Sequence, residues 1–256
     1  METWIELSAT VEKNINACID KCYPYDWDED HITYSVLSGI RNAFNGRPFL
    51  RGRESIQVDM ETYKLTGKPE KTHGDIVLIV SLTRRGSPPI QGAAFIEAKK
   101  RKIGTTKFPE MRIPQARRIL KSAPRAFYLL YDFEFTAQFI TQEGFAPWNR
   151  PISPLIEKGV EYAKVAKALT IPLNLALATA QKNTSLYAYS LPFSLQLMGR
   201  YLCGLDLEYD RSSLAVASGW VQSKGLPRRV VSIRVTEGYG ESPFVEINTD
   251  RYESEE

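Results

Sequence analysis

The sequence has little of the two side chains that carry most metal and nucleophile chemistry: three cysteines and two histidines in 256 residues. Cys18 and Cys22 are close together and Cys203 is far away, so no disulfide framework is spelled out. A sparse, odd set fits a reducing compartment. The gap between Cys18 and Cys22 suits half a zinc site, but no second Cys/His pair follows at finger spacing. Four residues apart, the two thiols fit the inner face of one helix instead. A serine–histidine–aspartate triad would have to use His31 or His73, and no Gly-x-Ser-x-Gly elbow exists. The phosphate loop Gly-x-x-x-x-Gly-Lys-Ser/Thr and the Gly-x-Gly-x-x-Gly fingerprint are missing too, which argues against a nucleotide-hydrolysing or dinucleotide-binding site.

Long apolar runs are lacking as well. The longest lies near residues 171–180, far short of the ~20 residues that span a bilayer. Residues 1–13 have no apolar stretch after a basic start, unlike a secretory signal. The expectation is a cytoplasmic chain with no membrane partner. Neither charge sign dominates: 33 basic residues stand against 30 acidic ones, net +3. That excludes a histone-like tail but leaves room for a local basic face. No fixed-period repeat or low-complexity segment appears. The composition present is ordinary for a globular chain, 43% hydrophobic and 25% charged, enough to build a core.

Apolar positions Leu7, Val11, Ile15 and Cys18 recur at helical spacing and predict a first helix over 5–19. Pro24 lies in the break that follows. A second helix is expected to start in the acidic stretch 26–30, which suits the positive end of a helix dipole. Its stripe is Ile32, Val36, Ile40 and Phe44, ended by Asn45-Gly46-Arg47-Pro48. Strands are then expected over 54–63, 74–82 and 91–99, the last two joined by the turn signal Gly86-Ser87-Pro88-Pro89. A basic loop leads to a helix near Pro114, a residue tolerated in the first helical turn. Residues 127–131 read as a buried strand. Later elements are fainter: helices over 156–169 and 191–202, short strands over 230–235 and 244–247, and a frayed polar tail from 250. The expected fold is α/β, a mixed central sheet flanked by helices. A core of residues 1–135 is expected to carry an extension, 136–256, packed on it.

The chemistry concentrates on the hairpin. In an antiparallel pair, residues equidistant from the turn centre face each other. Asp75 precedes Gly86 by as many residues as Glu97 follows it, so the simplest register sets the two carboxylates opposite one another. Side chains alternate along a strand, so Phe95, Glu97 and Lys99 share a face. Two acids and an amine thus meet within otherwise apolar strands, where charges are costly unless paired or ligated. Hydrolysis of a phosphodiester uses a hard cation to neutralise phosphate charge and acidify a water. Mg²⁺ accepts one or two carboxylates plus waters and substrate oxygens. Asp75, Glu97 and the backbone carbonyl of Ala98 can supply that set, with Mn²⁺ as a substitute. Lys99 can hold the attacking water or stabilise the pentavalent phosphate. The plainer reading is a half-buried ion pair between Glu97 and Lys99 or Lys100, beside an exposed Asp75.

Gly74-Asp75 and, after a hairpin, Ile96-Glu97-Ala98-Lys99 resemble the PD-(D/E)xK nucleases, a superfamily that includes many restriction endonucleases. The resemblance covers roughly residues 28–131 and the order helix, three strands, helix, strand. His73-Gly74 stands where the motif's name has proline. The resemblance implies a restriction-endonuclease-like core, Mg²⁺-dependent cleavage of DNA, chiefly as an endonuclease, and service in restriction, anti-phage defence or repair. It also implies a role for Glu29 on the helix before the sheet, near the metal. Gln115, on the helix after the acid-x-Lys strand, is implied in the same way. The ordinary alternatives are an acid favouring its own helix dipole and a plain surface amide.

Lys100, Arg101, Lys102, Lys107, Arg117 and Arg118 lie beside this site in sequence and form the expected phosphate-contacting cluster. None of them reads bases. DNA is the expected partner, with a homodimer or a complex with other defence or repair subunits left open. The rival from another class is a catalytically inactive nucleic-acid-binding or interaction module of the same fold.

Overall fold

A computed structural model describes residues 2–44, 46, 48–52, 54–67, 73–139, 162–221, 225–238 and 245–255. Helix α1 (Trp4–Cys22) starts on a capping box. The Thr3 amide donates to Glu6 Oε2 at 2.8 Å, and the Glu6 amide donates to Thr3 Oγ1 at 3.3 Å. The helix extends the expected 5–19 at both ends, and its buried apolar stripe is Leu7, Val11, Ile15, Ile19 and Cys22. Cys22 is buried and Cys18 half-buried, and all three cysteines are free thiols. Helix α2 (Glu29–Phe44) begins where Asp28 Oδ1 accepts the amides of Asp30 at 3.0 Å and His31 at 3.4 Å. Its buried residues include Ile32, Val36, Ile40 and Phe44, the expected stripe.

The strands are β1 (Phe49–Arg51), β2 (Glu54–Leu65), β3 (Ile76–Thr83) and β4 (Ile90–Lys100), then β5 (Phe127–Phe139), β6 (Tyr162–Pro172), β7 (Leu191–Pro192), β8 (Arg229–Glu237) and β9 (Tyr252–Ser254). Helix α3 (Ile113–Ser122) joins β4 to β5. Helices α4 (Leu173–Thr179), α5 (Phe193–Gly199) and α6 (Arg211–Ala217) lie in the second half. Among the described residues the strands form one open sheet, in order β1-β2-β8-β3-β4-β5-β6-β7, with β9 on β2. The pairs β3–β8 and β4–β5 are parallel and the rest antiparallel, so the sheet is mixed.

Both faces of the sheet are covered. Ile76, Leu78, Val80, Ala94 and Ile96 pack with α1, α2 and α5. Val77, Ile79, Ala93 and Phe95 pack with α3, α4 and α6. Burial on both faces explains why β3 reads as an unbroken apolar run. Each fully buried Val, Ile or Leu contributes about 1.5–3 kcal/mol, so the strand that leads out of Asp75 is a rigid one.

The second half departs from expectation. Residues 162–169, expected as part of a helix, are strand β6, paired with β5 from Phe127↔Pro172 onward; residues 156–161 lie outside the described set. In the sequence Lys158, Lys164 and Lys167 suggest the polar side of a helix, but Ala166, Ala168, Leu169 and Ile171 are buried, on both faces of a strand. The expected strand over 244–247 is absent from residues 245–247, and Phe244 is outside the described residues. The expected 191–202 helix is α5 followed by a 3₁₀ turn at Tyr201–Cys203. The tail is not frayed: Tyr252 is 1% exposed and β9 pairs with β2. The expected boundary at 135/136 falls inside β5, and β8 lies between β2 and β3, so residues beyond 135 build the same sheet.

Candidate active site

The β3–β4 register is Ile76↔Ile96, Val77↔Phe95, Leu78↔Ala94 and onward to Leu82↔Ile90. Extended by one step it sets Asp75 against Glu97, as expected from the turn at Gly86. Asp75 lies just before β3, held by its amide to Ile96 O at 2.9 Å. Its carboxylate turns back over β4 and accepts the Ala98 amide at 3.1 Å. The preceding residue has to be glycine. Gly74 has φ +88°, and a Cβ there would sit 2.6 Å from Ile96 O. His73, in the place of the motif's proline, is buried, with Nδ1 2.6 Å from Gly225 O.

Three carboxylates converge on one point, the Lys99 ammonium. Lys99 Nζ is 2.6 Å from Glu97 Oε1, 3.4 Å from Glu29 Oε1 and 3.7 Å from Asp75 Oδ2. It also donates to the Ala98 carbonyl at 2.5 Å. Gln115, from α3, donates its amide to Glu97 Oε1 at 2.6 Å. Glu97, Lys99 and Gln115 are buried, whereas Glu29 and Asp75 keep a fifth to a quarter of their side chains in solvent (21% and 27%). The site therefore has a dry floor and an open mouth. All five side chains singled out in the sequence lie together, drawn from α2, the β3 entry, β4 and α3.

The electrostatics are unbalanced. Three carboxylates share one ammonium. Burial pushes Glu97 up to about 8, with Asp75 adding to the shift. Burial likewise pushes Glu29 up to about 7, against the pull of Lys99. Burial works against the Lys99 charge, yet Glu97, Asp75 and Glu29 outweigh it and hold the amine above the ordinary lysine range. Glu29 Oε2 and Glu97 Oε2 are buried with no hydrogen-bond partner. Such orphaned acceptors are costly and ask for a cation or a donor.

The basic residues divide. Arg101, expected on the surface, is buried: Nε lies 3.1 Å from Asp132 Oδ1 and Nη2 2.9 Å from Glu134 Oε2. Its guanidinium stacks 4.0 Å over the Phe133 ring, so it is fixed inside the protein and not free for phosphate. Lys100 is half-buried and its Nζ donates to Trp27 O. Lys102, Lys107, Arg117 and Arg118 are exposed. The first two sit on a loop closed by Lys102 N to Lys107 O at 2.9 Å, and the arginines on the outer face of α3, opposite Gln115, Ala116 and Ile119.

Two supports escaped the sequence reading. Arg229 at the start of β8 donates its amide to Asp75 O at 2.9 Å. The Tyr131 hydroxyl meets Thr33 Oγ1 at 3.0 Å and so ties the first turn of α2 to β5. A buried tyrosine or a paired arginine in a fainter strand gives no signal of its own without the sheet order. Compared with protein-family models, curated proteins and solved structures, the chain matches none.

Proposed function

We propose that the chain is a Mg²⁺-dependent nuclease of the PD-(D/E)xK type, with a restriction-endonuclease-like core, that cleaves phosphodiester bonds in DNA. The observation that supports it is the convergence of Glu29, Asp75 and Glu97 on Lys99 at the end of a buried hairpin, with two carboxylate oxygens left unpartnered. The residues fit a hard divalent ion. Three acids against one lysine leave the cluster short of positive charge, and all the free donors are oxygens, the ligands Mg²⁺ takes. Among the described residues no three or more His, Cys, Asp and Glu form a ready cage. Mg²⁺ does not need one, since it is commonly bound by one or two carboxylates with waters and phosphate.

Asp75 and Glu97 would hold the ion, and Ala98 would add its carbonyl once Lys99 releases it. The ion when bound acidifies a water and neutralises phosphate charge. Gln115 fixes the Glu97 carboxylate by its hydrogen bond. Lys99 stays protonated, so its part is to stabilise developing negative charge rather than to accept a proton. Exposed Lys102, Lys107, Arg117 and Arg118 would contact the backbone of the substrate. Restriction or anti-phage defence is the setting we favour, with Mn²⁺ able to replace Mg²⁺.

A second reading has its own observation. Lys99 already occupies the Ala98 carbonyl and the space between the acids, as a purely structural ion cluster would. In that case the chain is an inactive binding module. The test is a cleavage assay on plasmid, linear duplex, single-stranded DNA and RNA, with and without Mg²⁺. Metal-dependent cutting of DNA that disappears in Asp75→Ala and falls roughly 100- to 1,000-fold in Lys99→Ala supports the nuclease. Binding without cutting under every condition selects the inactive module.

A further inference from the structure

We propose that Arg229 is a positioning residue that holds Asp75 and Glu29 in register, and that Glu255 in turn holds Arg229. The inference rests on the nuclease reading of the acid–lysine site. Arg229 opens β8, which pairs in parallel with β3 at Ile76↔Arg229, one residue from Asp75. Its backbone amide takes the Asp75 carbonyl. Its guanidinium, 3% exposed, donates through Nη1 to Asp30 Oδ1. Nε and Nη2 lie 2.9 and 3.2 Å from the two oxygens of Glu255. Asp30 is the chain neighbour of Glu29 in the first turn of α2.

A buried guanidinium must find acceptors for its donors, and a two-point grip on a carboxylate fixes its plane. One residue thereby ties together the entry to β3, through its backbone amide, and the start of α2 and residues 252–255, through its guanidinium. Glu255 is itself anchored. Its amide donates to Thr62 O at 2.8 Å, and its carbonyl accepts from Thr62 Oγ1 and Arg41 Nη1, both at 2.8 Å. Among the described residues Arg229 has no hydrogen bond or ion pair to Glu97 or Lys99, so it acts through Asp75 and Asp30.

The experiment compares Arg229→Gln, Arg229→Lys and Glu255→Gln with Ile233→Val, a buried change elsewhere on β8 that lowers stability without touching this network. Two quantities are read: hydrogen exchange at the amides of 29–33 and 75–76, and the Mn²⁺ concentration giving half-maximal cleavage. Arg229→Gln is expected to speed exchange at those amides and to raise the half-maximal Mn²⁺ concentration about tenfold. Arg229→Lys should recover part of the loss, Glu255→Gln should show a smaller shift, and Ile233→Val should leave both readouts in place. If Arg229→Gln fails to fold, Glu255→Gln carries the test, since it leaves the guanidinium on Asp30. Changes no larger than those of Ile233→Val would overturn the proposal. A wild-type chain that neither binds Mn²⁺ nor cuts would sink the nuclease reading instead, and the exchange data would still decide whether Arg229 holds the two segments.

Discussion

Glu29 and Asp30 are adjacent at the start of α2, yet they enter opposite kinds of charge cluster. Glu29 joins Asp75 and Glu97 around a single lysine. Asp30 joins Glu255 and faces Arg228 at 3.1 Å, Arg229, and Lys64 at 4.0 Å. In the first cluster burial wins and the acids rise, Glu29 to about 7 and Glu97 to about 8. In the second, burial works against the Asp30 charge, but Arg229 and Arg228 outweigh it and hold the carboxyl below its ordinary value. The first leaves two oxygens orphaned, and neither Asp30 nor Glu255 has any. The lesson is that burial of acids does not by itself mark a site. Orphaned carboxylate oxygens beside one shared ammonium set this cluster apart; Ser81 Oγ, Arg101 Nε and the Tyr201 hydroxyl are also without a hydrogen-bond partner, but none is a carboxylate oxygen.

Glu12 isolates the burial half of that contrast. It is buried and, among the described residues, pairs with no cation: Oε2 accepts from Ser194 Oγ and Oε1 from Asn16 Nδ2 at 2.9 Å. Burial raises it to about 7, against the two hydrogen bonds. Its folded pKa lies above its unfolded value, so its contribution to stability is full below about pH 4.5 and is lost as pH rises through 7. Urea unfolding without metal should therefore show a loss on the order of 2–3 kcal/mol between pH 4.5 and 8 assignable to this one group. Glu12→Gln should remove that portion of the slope. A slope unchanged by the substitution would show that burial between α1 and α5 does not perturb the acid.

The contrast between the two clusters becomes a difference of sign. At pH 9 and without divalent ions, Glu97→Gln should raise stability by about 1 kcal/mol, because it removes a buried charge that its surroundings disfavour. Asp30→Asn should lower stability by about 1 kcal/mol, discounted for its partial exposure. With saturating Mg²⁺ the benefit of Glu97→Gln should vanish, since an ion bound only by the folded wild type adds its own stabilisation. Thermal melts of both variants with EDTA and with Mg²⁺ make the measurement. Two losses of equal sign under EDTA would erase the distinction.

The first half of the molecule was legible and the second was not, for a physical reason. Helices α1 and α2 declare themselves because one apolar stripe faces one core. Asp75 and Glu97 could be matched because a hairpin has a countable turn. Strand β6 reads as a helix because both its faces are buried, which erases the period of two, and because its lysines suggest a polar side. One of them, Lys167, is in fact 5% exposed and paired with Asp20. Strand β8 was recognised as a strand, but its insertion between β2 and β3 depends on pairing across more than 140 residues. That is why the role of Arg229 could not be read from its neighbours in the chain. Arg101 failed similarly: its ion-pair partners Asp132 and Glu134 lie some thirty residues on, at the β5 register shift between Tyr131 and Thr136.

The same division between satisfied and unsatisfied groups sorts the basic residues. Arg101 is committed to Asp132 and Glu134, and Arg229 to Asp30 and Glu255, so neither is free for phosphate. Lys102, Lys107 and Arg118 are exposed and, among the described residues, in no ion pair. If they track a DNA backbone beside the acid–lysine cluster, each phosphate contact adds about −0.9 to the slope of log affinity against log salt on duplex DNA. Replacing all three with Gln should flatten that slope by up to about 3 and weaken every sequence alike, since phosphates carry no sequence information. A partial change is the expected result: two of the three sit on the loop after β4 and the third on α3, so one straight backbone need not meet them all. Melting temperature should stay near wild type, because no buried group changes. The check is a binding titration from 50 to 300 mM salt with a catalytically silent Asp75→Ala background. An unchanged slope would move the DNA path to another face. The candidates there are Lys224, which lies outside the described residues, and Arg228, whose side chain is 37% exposed; Arg229 is buried and not free to take part.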